Sequence, residues 1–185
     1  MKGFITLLLT FLVTVSTAQN ISLMKYINDY RVSNGKTSVA VTSNMNKISV
    51  KQILKIVKED SLSHSGTNTY ECVTRSANIA PTPEKKAEFE IFLKKNFDID
   101  YDDPEDSTFD VEKFAALYVV FLFSKSPKHN AIMLSDNVKE GGAVLYLGNN
   151  ITFNSNKRVI GGKTYTFSKI VSHVEVNFFG VLNLK

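Results

Sequence analysis

The sequence predicts an α+β domain, on three observations. The first part of the chain carries apolar residues at the 3.6-residue spacing of amphipathic helices. The stretch from Phe114 to Phe123 is apolar nearly all round, as in a helix buried between layers. After Gly141-Gly142 the chain turns to short β-branched and aromatic stretches broken by Gly-Asn-Asn and Gly-Gly, the punctuation of hairpins. Helices first and antiparallel strands last define this class.

The opening segment, "MKGFITLLLTFLVTVSTA", has a lysine at position 2, an apolar run through Val15, and Ser16-Thr17-Ala18. Small residues at −3 and −1 predict a signal-peptidase cut before Gln19, so residues 1–18 read as a secretory signal and 19–185 as one domain. The run is too short and its flanks too poor in charge for a stable membrane span. The expected location is secreted or periplasmic, and the protein is not expected to be an integral membrane protein.

Ser22 to Val32 places Leu23, Ile27 and Tyr30 on one helical face with Met24 beside them, and Asn34-Gly35 supplies a left-handed stop. A second helix is expected to open at Ser49, with Gln52 three residues on in a capping-box pattern. Val50, Ile53, Leu54 and Val57 follow its period. Thr82-Pro83 opens a third helix with Phe89, Phe92, Leu93 and Phe97 inward. The fourth spans about Val111 to Ser124. Strands are expected within "AVLYLGNNITF", "KRVIGGKTYTF" and "SHVEVNFF".

The chain is long enough to bury roughly 70% of its unfolded surface without a disulfide. It could form none within itself, because Cys72 is the single cysteine in 185 residues. Such a residue is a buried small hydrophobe, a reactive thiol, or half of an intermolecular bridge. The formal net charge is +4, or +3 once Lys2 leaves with the signal, and the lysines are scattered among acids. That pattern argues against nucleic acid as a partner.

The histidines are His64, in a polar loop, His129, in "SKSPKHNAIML" between two apolar segments, and His173, alternating with Glu175. None has a metal spacing such as His-x-x-x-His. The aspartates from Asp98 to Asp106 lack the glycine and the bidentate glutamate of a calcium loop, and read as a solvated linker. Around Cys72 no oxyanion device is legible, and no phosphate cradle or nucleophile elbow occurs.

Five segments, read in order, resemble a known family: "INDYRVSNG" (27–35), "SHSG" (63–66), "SANIA" (76–80), "SPKHNAIML" (126–134) and "VEVNFFG" (174–180). They are similar to the CAP superfamily (cysteine-rich secretory proteins, antigen 5 and pathogenesis-related-1, or SCP-like proteins) in its bacterial form. The resemblance spans Ile21 to Gly180. It implies a three-layer α-β-α sandwich with a central antiparallel sheet. It also implies a surface cleft lined by two histidines and two acidic positions, which in some members holds a divalent metal. Carried over by position, the histidines are His64 and His129, and Phe123 stands at the family's tryptophan. The acidic positions are Ala77 and Ser126 here, while Asn78 is retained.

Without those carboxylates the resemblance implies a binding or interaction module with a degenerate cleft bordered by His64, His129, Asn78 and Ser126. Its ligand would be a small molecule, lipid, peptide or protein. No cofactor is singled out; a divalent metal such as zinc on His64 and His129 would be held at low affinity. The rival expectation is a metal-assisted hydrolase in which His64 and His129 recruit Glu71, read as lying in the loop after His64, or Glu175 as base.

Overall fold

The computed structural model describes residues 17–59, 61–76, 83–101, 110–147, 156–160, 163–167 and 178–185. The expected signal cut lies at the edge of this range, and residues 1–16 lie outside it, as do Ala77, Asn78, His173, Glu175 and Asp102 to Asp106. Helix α1 covers Thr17–Ser33 and begins two residues before the expected cut. Leu23, Met24, Ile27 and Tyr30 are buried, as their period predicts. The helix stops at Gly35, whose φ is 71°, with Gly35 N–H donating to the Val32 carbonyl and Lys36 N–H to that of Arg31. That pair of bonds is a Schellman ending.

Helix α2 corrects an expectation. It runs Ser43–Glu59, so Ser49 lies in its middle and caps nothing. The start is marked by Thr42, whose hydroxyl accepts from Met45 N–H and whose carbonyl accepts from Asn46 N–H. Ser49 is buried for another reason: its hydroxyl donates to the Gly142 carbonyl at 2.8 Å and accepts from the Asn183 amide at 3.0 Å. The buried face is Met45, Ser49, Gln52, Ile53 and Ile56, whereas Leu54 is 42% exposed.

Helices α3 (Pro83–Phe97) and α4 (Val111–Lys125) fall where the sequence places them. Phe89 meets Phe114, Tyr118 and Phe121 in one aromatic cluster. A short helix not foreseen, α5 (Pro127–Met133), follows α4 with Ser126 shared as the hinge.

Three strands make the body of the sheet. Strand β2 (Tyr70–Ser76), also not foreseen, pairs antiparallel with β6 (Phe178–Leu184), and β6 pairs antiparallel with β3 (Glu140–Leu147). A two-residue strand β1 (Ala40–Val41) adds to β3 in parallel, making a four-stranded mixed sheet in the order β1-β3-β6-β2. The sheet is antiparallel through β3, β6 and β2, and β1 adds one short parallel pair at its edge. Strands β4 (Asn156–Ile160) and β5 (Lys163–Phe167) form a separate antiparallel hairpin, with Ile160 paired to Lys163 across the Gly-Gly link.

The sheet has two buried faces, which is what a middle layer requires. Val73, Val144 and Val181 meet Ile53 and Ile56 of α2 on one side. Cys72, Ala143, Leu145, Leu182 and Leu184 meet α1, α3 and α4 on the other. The fold is therefore α+β, a helix–sheet–helix sandwich with helices early and strands late. At Gly142 the backbone of α2 comes so close that an added Cβ would strike Met45 and Asn46.

Replacing Ser49 by alanine leaves the buried Asn183 side-chain N–H without its partner, and is expected to cost about 1–3 kcal/mol in urea unfolding. Ser49→Asp should cost more, since it buries a charge; at a true helix cap aspartate would instead be tolerated.

Candidate functional site

Loop 61–69 carries His64 to the start of β2 and is laced down by its own polar side chains. The Gln52 amide donates to the Ser63 carbonyl. The hydroxyls of Ser65, Thr67 and Thr69 follow at 2.7 and 2.9 Å, and Thr69 donates to Asn183 at 2.7 Å. Gly66 takes a φ of 70°, a left-handed turn that glycine adopts without strain.

Glu71 is on strand β2, opposite Asn183, and not in a loop as expected from sequence. Its Oε2 accepts Ser65 N–H at 2.7 Å and faces His64 Nδ1 at 3.0 Å. Its Oε1 is buried with no hydrogen-bond partner. The Glu71 side chain is 5% exposed and that of His64 57%, so an enclosed carboxylate holds a ring whose outer part meets solvent.

His129 stands in the first turn of α5. Ser126 is its N-cap, accepting from His129 N–H at 3.5 Å, and Pro127 opens the helix. Cap followed by proline is a helix-start signal, so the residues around this histidine are the beginning of an element and not a linker. The ring packs edge-on to Phe123, centroids 5.4 Å apart at 74°. Beneath it the Cys72 thiol reaches the His129 carbonyl at 3.8 Å, which joins α5 to the edge strand. Burial lowers the His129 imidazole below its ordinary value, and the charges of His64 and Lys128 lower it further. Both histidines border strand β2, His64 through Glu71 and His129 through the bond of its carbonyl to the Cys72 thiol. Among the described residues neither ring nitrogen of His129 has a hydrogen-bond partner, and neither has Nε2 of His64.

Of the residues expected at the site, His64, His129 and Glu71 converge on β2, and Ser126 supports His129 through its cap. Asn78 lies outside the described residues. Sequence reading missed Phe123 as the ring support of His129, and Thr69, Asn183 and Gln52 as the anchors of the His64 loop. Among the described residues the donors do not complete a metal centre. Glu71 Oε2 is committed to His64 and Ser65. No group of three His, Cys, Asp or Glu among the described residues is placed to hold an ion. Cys72 is wholly buried, and its thiol is pushed up to about 12 by burial and then by the Glu71 charge, so of the three readings it fits the buried small hydrophobe.

No family model matches the chain, and no characterised protein matches it by sequence. Among solved structures it is similar to an outer surface protein from Borrelia burgdorferi, with a TM-score of 0.48 and 11% identity, covering 91% of this chain and 93% of that one. No helix among the described residues is long and apolar enough to cross a membrane.

Two outcomes follow from the titrating groups. A lowered imidazole stays neutral in the folded state while the unfolded chain takes up a proton, so its contribution is full above about pH 6.5 and is lost as pH falls through the folded value. Urea unfolding should show stability declining below that pH, and His129→Gln should flatten the decline. Iodoacetamide near pH 8 should leave Cys72 unmodified by mass spectrometry until the protein is denatured.

Proposed function

We propose that the chain is an exported, single-domain CAP-like binding module, residues 19–185, whose ligand-facing rim is formed by His64 and His129 at the edge strand. The observation that carries this reading is that segments 65 positions apart both come to strand β2, His64 at Glu71 and His129 at Cys72. One is held by an enclosed carboxylate and the other by a helix cap and an aromatic ring. The order of the five CAP-like segments supports the kinship. Ser126 and Asn78 would border the same rim. The partner is a small molecule, lipid, peptide or protein.

One observation favours a second reading, a hydrolase. A carboxylate hydrogen-bonded to an imidazole is how general bases are oriented, and Glu71 stands 3.0 Å from His64 Nδ1. The incomplete metal donor set weighs against it.

Zinc titrated into the protein by calorimetry is expected to give no saturable binding at micromolar metal. Micromolar binding that His129→Ala abolishes would reverse the ranking and place the hydrolase first.

A further inference from the structure

The His64–Glu71 contact has a consequence for what the rim can recognise. An ionised carboxylate is acceptor-only, so the nitrogen facing it must carry hydrogen. The same Oε2 accepts Ser65 N–H at 2.7 Å, the short distance of a bond to a charged oxygen, so backbone and ring of the loop are fixed by one atom. Oε1 is sealed away without a partner, which leaves Oε2 as the carboxylate's only hydrogen-bonding contact among the described residues.

We infer that Glu71 is a positioning residue: it holds His64 with the proton on Nδ1, so that the solvent-facing Nε2 is a bare acceptor and the rim selects neutral ligands bearing a hydroxyl or N–H donor. This rests on the reading above only in taking the His64 rim as ligand-facing. A neutral imidazole has one donor and one acceptor nitrogen, and which is which is set by the bond the other makes. In the neutral ring, above the imidazole range, the donor is spent on Glu71 and His64 has no hydrogen to offer a carboxylate or phosphate. Buried Glu71 also places a negative charge beneath the ring, which repels anions further. An amide, an alcohol or a sugar hydroxyl meets neither obstacle.

The test reads the ring nitrogens of His64 by long-range proton–nitrogen NMR on the ligand-free protein at pH 8, above the ordinary imidazole range. The proton is expected on Nδ1. In Glu71→Ala it is expected to move to Nε2, the nitrogen that a free neutral histidine favours in water. Thr69→Val, which breaks the loop's bond to Asn183 without touching His64, should leave the proton on Nδ1. A proton on Nε2 in the unaltered protein overturns the inference, whether or not any variant folds. So does a Glu71→Ala spectrum unchanged from the parent, or a shift in Thr69→Val as large as in Glu71→Ala. For the ligand class, acetamide and sodium acetate serve as probes at constant pH. The His64 Nε2 resonance should move with acetamide and not with acetate. Equal movement with acetate, or none with either, overturns the assigned class. The tautomer is measured without metal or ligand, so its result is independent of the zinc titration.

Discussion

A carboxylate taken out of water on an edge strand must find donors, and most of this site follows from how Glu71 finds them. Leaving a buried charge unmatched costs several kcal/mol as an order of magnitude. Glu71 avoids that by drawing loop 61–69 over itself, taking one backbone N–H and one ring N–H onto Oε2. Once the loop is drawn in, its hydroxyls reach Asn183, and Asn183 reaches Ser49 on α2. The position of His64 is thus set by a polar seam that also ties helix to sheet.

The seam occupies one part of an otherwise apolar interface, and the contrast explains its shape. Along β6, Val181 faces α2 while Leu182 and Leu184 face the opposite layer. Asn183 falls on the α2 side by the two-residue period of a strand, and a buried amide there requires partners. Ser49 supplies one, because α2 crosses close enough over Gly142 for its hydroxyl to reach both that carbonyl and Asn183. Close approach without a side chain on β3 and a polar residue in mid-helix are two sides of one fit. On the other face the described residues that meet the sheet are mainly hydrocarbon and aromatic, and there most of α4 is buried.

Much of this architecture is legible in the residues themselves, and the misses have physical causes. Helices α3 and α4 are long and strongly patterned, with a proline or an aspartate at the start, so their bounds are readable. Ser49 misleads because a serine before an apolar run resembles a cap whether it begins a helix or sits on its buried face. Strand β2 hides because Cys72 and Val73 are buried on opposite faces, which erases the alternation that announces a half-exposed strand. Helix α5 is under two full turns, too short for a period to show, although Ser126-Pro127 marks its start. His64 and His129 stand out in the sequence as histidines, one in a polar loop and one between two apolar segments. That both border β2, and that Glu71 faces His64, depends on tertiary packing that no local pattern encodes.

Arg31 carries a consequence for how the molecule comes together in time. Its buried guanidinium donates to the carbonyls of Thr37, Met133 and Ser135, and its neighbour Tyr30 donates to Asn130. These bonds join α1 to the shelf that bears His129 across about a hundred residues of chain. Contacts of such long sequence separation form late, because loop closure must precede any gain from them. A nascent chain emerging N-terminus first can therefore make only the local bond from Arg31 to Thr37 until the segment around Met133 is free to dock, and the His129 half of the rim does not exist before that moment.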